Sequence, residues 1–149
     1  MGGTLFYEDF APGQRFQTGA RSVTASDITE FAAQFDPQPF HLDEAAARGT
    51  VFGGLAASGW HTAAVTMRLL VDGFPVAGGI VGLGMDELRW PAPVRAGDVL
   101  HAEIEVLAVR PSRSRPGQGL VKLRVTTRRQ DGEAVQVIVP NLIVPCRPA

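Results

Sequence analysis

An aspartate and a histidine stand five positions apart in the segment "FDPQPFHLDEAAARG", which begins at Phe35. Two prolines between them fix the backbone and remove hydrogen-bond donors. A carboxylate and an imidazole that hold one water molecule can act on it as general acid and general base. The spacing places Asp36 and His41 on a stiffened, non-helical turn, where they are candidates for such a pair. On these residues alone, a plain proline turn with a nearby histidine is the favoured interpretation.

Two predicted helices flank this segment. "TASDITEFAAQF" predicts a helix that Thr24 or Ser26 caps, with Asp27 in the first turn, where the helix dipole favours an acid. Apolar residues recur at helical spacing along it, at Ile28, Phe31, Ala32 and Phe35. The prolines end this helix, and "LDEAAARG" predicts a brief second helix that stops at Gly49.

A third helix is predicted after the glycine-rich loop "TVFGGLAASG". In "WHTAAVTMRLLVDG" the only formally charged residue between positions 60 and 71 is Arg68. A helix that is apolar nearly all round is a buried helix, so we expect Trp60 and Met67 in the core. Ser58 is a suitable N-cap for this helix.

The remainder of the chain has the pattern of strands. Residues 14–23 predict a short edge strand, and after Gly78 four segments alternate or run β-branched, separated by glycine- and proline-containing turns. Helices and strands are thus segregated along the chain. This predicts a single α+β domain over residues 1–149, with an antiparallel sheet wrapped over one apolar helix.

The composition of the chain excludes several classes of protein. The chain has 149 residues, 45% of them hydrophobic and 19% charged, with a net charge of −1, which does not favour nucleic acid or membrane surfaces. The single cysteine, Cys146, excludes an internal disulfide and a cysteine-rich metal site. The N-terminal segment lacks signal-peptide features, and no apolar run approaches the roughly 20 residues of a membrane span. We therefore expect a soluble protein in a reducing cytoplasm.

The segments "DPQPFHLDEAA" and "FGGLAASGWHTAAVTMRLL" together resemble the MaoC-like (R)-specific enoyl-CoA hydratases of the hotdog fold. The hydratase motif of that family runs Asp-x-Asn-Pro-aliphatic-His, followed by five residues and a small one. Asp36, Pro39, His41 and Ala47 occupy matching positions here. The later segment "RWPAPVRAGDVL" also looks like a strand-turn-strand segment of the family.

The resemblance implies a hotdog fold, in which an antiparallel sheet wraps around a long central helix. It implies hydration of 2-enoyl-CoA thioesters, or dehydration of (R)-3-hydroxyacyl-CoA, catalysed by Asp36 and His41. It also implies that Gly59, at the head of the apolar helix, supplies an oxyanion-hole N–H. The residues expected to contact substrate are Gln38, Phe40, Ser58 and Trp60. Coenzyme A would be part of the substrate, with no separate cofactor and no metal, and the chain would form a homodimer or a dimer of dimers.

Three positions depart from the family pattern. Gln38 replaces the usual Asn, Phe40 replaces an aliphatic residue, and Phe35 stands where a glycine usually precedes the aspartate. These departures leave the identity of the acyl group open. Two alternative functions remain beside the hydratase. One is a hotdog acyl-CoA thioesterase, although such enzymes generally lack the Asp-to-His motif. The other is a non-enzymatic acyl-CoA binding module.

Overall fold

One antiparallel sheet of five strands is the centre of the fold, in a computed structural model that describes residues 3–149. Residues 1 and 2 of the predicted domain lie outside the described residues. The strands are β1 (Arg15–Ser22), β2 (Val81–Arg89), β3 (Val99–Pro111), β4 (Gln118–Arg128) and β5 (Ala134–Pro145). Their order across the sheet is β1-β3-β4-β5-β2. All four neighbouring pairs are antiparallel, so β1 and β2 are the edges. The predicted α+β class, with its first strand at an edge, is confirmed.

The helices lie in the first half of the chain, as the sequence predicts. They are α1 (Ala25–Phe35), α2 (Pro39–Leu42), α3 (Glu44–Ala47) and α4 (Gly59–Gly73). The core forms between α4 and one face of the sheet. Strands β3 and β4 alternate buried and more exposed residues, and Val65, Leu69 and Leu70 of α4 belong to the same buried cluster. Burying each such aliphatic side chain contributes roughly 1.5–3 kcal/mol to folding.

Helix α4 is buried on one face only, so the prediction of a helix buried nearly all round is wrong for the single chain. Trp60 is 57% exposed and Met67 is 43% exposed, so their predicted place in the core is also wrong. Val71 on the same helix is exposed as well. The sequence shows that these side chains are apolar, but it does not show whether they pack within one chain or against another.

Helix α1 begins with a capping box formed by Thr24 and Asp27. The Thr24 side chain accepts a hydrogen bond from the Asp27 N–H, and the Asp27 carboxylate accepts one from the Thr24 N–H. Thr24, rather than Ser26, is therefore the N-cap. Ile28 and Ala32 are buried as predicted, whereas Phe35 at the end of the helix is 68% exposed. The predicted apolar face thus ends one turn before the helix does.

The segment that carries the histidine is helical, which corrects the predicted non-helical turn. Pro39 begins the one-turn helix α2, with Gln38 as its N-cap, and His41 lies within it. Proline suits the first position of a helix because its missing N–H would have no partner there and its φ already matches the helix. Asp43 then caps α3 with its side chain, and α3 ends at Ala47, two residues before the predicted stop at Gly49.

Over residues 3–149, no helix has both the length and the apolar character needed to cross a membrane.

Candidate active site

Asp36 lies at the C-terminal end of α1, where its backbone N–H still donates to the Ala32 carbonyl. Its carboxylate projects toward the histidine, and the Gln38 side-chain amide donates to its Oδ1 at 2.5 Å. Gln38, one of the residues predicted to contact substrate, therefore holds the aspartate in place. The longer side chain that replaces the family asparagine still reaches a polar partner.

His41 is buried, and both of its ring nitrogens face oxygen atoms. Nδ1 lies 2.6 Å from the Ala56 carbonyl oxygen, and Nε2 lies 3.4 Å from Oδ2 of Asp36. Because a carbonyl oxygen only accepts hydrogen bonds, Nδ1 carries a proton. In the neutral ring, Nε2 and the carboxylate are then two acceptors side by side. One water molecule can donate a hydrogen bond to each of them.

Aromatic rings surround the His41 imidazole. The Phe40 ring meets it edge-on, with ring centroids 4.6 Å apart, and Phe52 contacts it from the glycine-rich loop. Phe40 also packs against Phe52. Phe40, a second predicted substrate contact, thus shields the histidine.

Ser58 is fully buried at the N-terminus of α4. Its hydroxyl accepts a hydrogen bond from the Trp60 N–H at 3.2 Å, which caps the helix as predicted. The same hydroxyl is the main cause that holds the pKa of the Asp36 carboxyl below its usual value of 3.8. Burial of Asp36 opposes this effect, while the Gln38 amide and the His41 ring lower the pKa further. The environment therefore keeps Asp36 ionised.

Replacing Ser58 with alanine is expected to raise the pKa of Asp36, because the largest cause of its lowering is removed. A carboxyl whose pKa is lowered on folding stabilises the fold above its unfolded pKa. That contribution is lost as the pH falls through the lowered pKa. Ser58→Ala should therefore lose stability relative to wild type above the unfolded pKa and show less acid dependence. Carbon-13 NMR titration of the Asp36 carboxyl measures the shift.

Thr24→Ala is the matched control, because it also removes a helix N-cap, from α1, but leaves in place the Ser58 hydroxyl that lowers the pKa of Asp36. Each cap removal is expected to cost about 1 kcal/mol of stability. Only Ser58→Ala should move the Asp36 titration. An identical Asp36 titration in the two variants would contradict the role of Ser58.

Two charged residues clamp the loop that faces His41. The Arg95 guanidinium donates to the Gly54 carbonyl at 2.9 Å, to the Leu55 carbonyl at 3.2 Å and to the Phe52 carbonyl. Glu44 in α3 accepts a hydrogen bond from the Leu55 N–H at 2.7 Å. These contacts hold the loop in place and so position the Ala56 carbonyl, which accepts the hydrogen bond from Nδ1 of His41. The sequence analysis identified neither Arg95 nor Glu44. The clue it offered was the glycine-rich loop itself, because the backbone N–H and C=O groups of a loop packed beside a site need hydrogen-bond partners.

Gly59 is the first residue of α4, where the backbone N–H groups have no partner within the helix. It lines a cavity of about 330 Å³ together with His41, Phe52, Thr62 and Trp90. A Cβ on Gly59 would lie 2.5 Å from Cε2 of Trp90, so only glycine allows the indole to rest on this turn. The structure therefore places a helix N-terminus and the His41 imidazole on one cavity.

Trp60, the remaining predicted substrate contact, lies at the exposed surface beside this cavity. Its ring meets the Trp90 ring edge-on, with centroids 5.2 Å apart. Trp90, which sequence reasoning did not single out, is the tryptophan that lines the cavity. The resemblance of its segment, "RWPAPVRAGDVL", to the family does not by itself give this tryptophan a role. Contact between Trp60 and substrate stays a prediction.

His61 lies apart from Asp36 and His41, on the buried face of α4. Its ring stacks on Phe31, with centroids 4.8 Å apart, and burial lowers its pKa, with Asp27 opposing. Its Nδ1 has no hydrogen-bond partner among the described residues. Within residues 3–149, no group of three or more His, Cys, Asp or Glu side chains could hold a metal ion.

Comparison with known proteins identifies the family. The family described as MaoC like domain matches residues 9–129. The crystal structure of a MaoC-like dehydratase from Rhodospirillum rubrum has a TM-score of 0.94 and 55% sequence identity, and the match covers 97% of this chain and 99% of that one.

Curated relatives agree with this result. The chain is 37% identical over 111 residues to the uncharacterized protein YdeM of Bacillus subtilis, covering 74% of this chain and 79% of that protein. It is 32% identical over 109 residues to an (R)-specific enoyl-CoA hydratase of Rhodospirillum rubrum, covering 72% and 74%. The match over most of the chain and the shared fold lead to one conclusion: the chain belongs to the MaoC-like dehydratase family and has the hotdog fold.

Proposed function

We propose that this chain adds water to 2-enoyl-CoA thioesters to give (R)-3-hydroxyacyl-CoA, and that it catalyses the reverse dehydration. One observation carries the proposal: His41, paired with Asp36, and the N-terminus of α4 at Gly59 line the same cavity. Activation of water and stabilisation of a developing oxyanion are the two tasks that this reaction requires. The (R) configuration follows the name of the relative from Rhodospirillum rubrum.

The Asp36–His41 pair performs the proton transfers. A water molecule donates to Nε2 of His41 and to the Asp36 carboxylate, whose facing atoms are 3.4 Å apart. The water oxygen attacks C3 of the enoyl group, and the π electrons of the double bond move onto the thioester oxygen. The pair takes one proton from the water and returns a proton to C2 on the same face. The sum is syn addition of one water molecule, by general acid–base catalysis.

The thioester oxygen becomes an enolate-like oxyanion during the attack. The Gly59 N–H, at the positive end of the α4 dipole, donates a hydrogen bond to it. Because the thioester carbonyl itself accepts the electron pair, the reaction needs no separate cofactor. Coenzyme A takes part as a portion of the substrate.

The proposal is tested by identifying the product formed from crotonyl-CoA. The expected product is heavier by one water molecule, keeps its thioester bond, and is a substrate for an (R)-specific 3-hydroxyacyl-CoA dehydrogenase. Release of free coenzyme A would instead identify a thioesterase. Tight binding without any product would identify a binding module.

We also propose that the chain forms a homodimer through β2. This strand is an edge of the sheet, so the backbone groups along its outer side have no strand partner within residues 3–149. Three apolar residues of this strand, Val81, Leu83 and Met85, are exposed, and so are Met67 and Val71 of α4. A second copy that packs here would cover this apolar surface and extend the sheet, and isologous pairing is the commonest way for such a contact to close.

Leu83→Arg is expected to convert the dimer to a monomer, because it places a charge in the proposed contact. Leu83 is 59% exposed in the single chain. The expected rise in the dimer dissociation constant is about 100-fold, equivalent to roughly 3 kcal/mol. Sedimentation equilibrium measures it. Val51→Arg, at a loop residue that is 95% exposed, is the control and should leave the dimer intact. Equal dissociation constants for the two variants would contradict an interface at β2.

A further inference from the structure

Two separate cavities lie along the same face of α4. The first contains His41 and Gly59, and Thr62 lies on its α4 side. The second, of about 200 Å³, is lined almost entirely by apolar groups, among them Leu70 of α4 and Ile138 of β5. Residues four apart share one face of a helix. The row of Thr62, Thr66 and Leu70 therefore runs from the first cavity to the second.

The Trp90 indole is anchored at the point where the two cavities would meet. Its Nε1–H donates to Oε1 of Gln136 at 2.8 Å, and Nε2 of Gln136 donates to the Thr66 hydroxyl at 3.0 Å. Thr66 lies between Thr62 and Leu70 on α4, and Gln136 precedes Ile138 on the same face of β5. On α4 the anchor thus falls between the lining of the first cavity and that of the second, and on β5 it lies two residues from the lining of the second.

The hydrogen bonds of this network have only one possible direction. An indole N–H is a donor only, so Gln136 must turn its oxygen toward Trp90 and its NH₂ toward Thr66. The Thr66 hydroxyl donates to the Thr62 carbonyl at 2.9 Å and so must accept from Thr127, 2.6 Å away. Gln136, Thr66 and Thr127 are all buried, where an unpaired polar group would be costly. The network therefore fixes the orientation of the indole.

We propose that Trp90 is a partition that sets the maximum length of the acyl group. The indole packs on Gly59 on one side and is held by Gln136 and Thr66 on the other. A compact acyl group fits beside His41, whereas a longer chain would have to pass the indole to reach the apolar cavity. This inference rests on the proposed function and names its substrate class as short-chain thioesters.

Trp90→Leu is expected to join the two cavities and to favour longer acyl chains. Isothermal titration calorimetry with butanoyl-CoA and octanoyl-CoA tests this without turnover, because these saturated thioesters have no double bond to hydrate. Each methylene newly buried favours binding by roughly fourfold, so the preference for octanoyl-CoA over butanoyl-CoA should rise at least about tenfold. Phe6→Leu makes a matched aromatic-to-leucine change at a residue that lines neither cavity, and should leave the preference unchanged.

Gln136→Met provides a second variant, since it keeps the side-chain volume but removes the acceptor that anchors the indole. It should raise the same preference at least about threefold, because the freed indole can turn aside. Preferences equal to wild type in both variants would overturn the partition, even where the wild type hydrates crotonyl-CoA. Wild-type binding of octanoyl-CoA that is tighter than binding of butanoyl-CoA would also overturn it. A wild type that binds butanoyl-CoA yet hydrates no enoyl-CoA would overturn the proposed function alone.

Discussion

Asp36→Asn is expected to slow the hydration of crotonyl-CoA by about 10²- to 10⁴-fold, the usual contribution of a general acid–base group. An amide has nearly the same shape as the carboxylate but does not take a proton from water. His41→Ala should lose activity by a similar factor. Since both groups act on one water molecule, the double variant should lose little more than the worse single variant. Initial rates follow from the loss of the conjugated thioester absorbance.

Asp72→Asn is the matched control for this experiment. It makes the same chemical change at an exposed aspartate of α4, paired with Arg68 at the surface, and should keep full activity. Asp36→Asn with the wild-type fold and more than about a tenth of the wild-type rate would contradict an acid–base role for Asp36.

Gly59→Ala is expected to lower kcat/KM about 100-fold and to lower the melting temperature. The added Cβ would lie 2.5–2.7 Å from three ring atoms of Trp90, a separation that real Cβ atoms do not tolerate. The indole must move, which breaks its hydrogen bond to Gln136 and fills the approach to the Gly59 N–H. The loss of one oxyanion donor typically costs a factor of about 10²–10³. Steady-state kinetics and thermal unfolding measure the two effects.

Gly49→Ala is the control for this substitution. Gly49 is exposed, and a Cβ there would meet no atom within 4 Å. It should behave as the wild type does in both measurements. Wild-type kcat/KM in Gly59→Ala would show that the N-terminus of α4 does not contact the reacting thioester.

Local patterns were sufficient to predict most of the fold. The cap at Thr24 and the alternation of buried residues in β3 and β4 depend on neighbours close in the chain, and both are observed. The exposed face of α4 was not predictable in the same way. An apolar side chain such as Met67 has the same pattern in the sequence whether it packs within one chain or faces outward.

The same distinction between local and distant contacts applies to the site. The spacing of Asp36 and His41 is local, and the structure brings their side chains to 3.4 Å. The residues that hold the surroundings in place are distant in sequence. Arg95 reaches back to Gly54 across 41 positions, and Trp90 reaches forward to Gln136 across 46. No periodicity or motif in a single sequence contains such contacts, because they exist only once the sheet and α4 have packed together.

The most direct test of the central claim is one reaction of the wild-type chain with crotonyl-CoA, followed by two signals at once. The first is the conjugated thioester absorbance, and the second is free thiol. If Asp36 and His41 add water to the double bond, the absorbance falls to an equilibrium value while no thiol appears. Thiol that appears in step with the loss of absorbance, or absorbance that does not change with any short enoyl-CoA, would contradict the account.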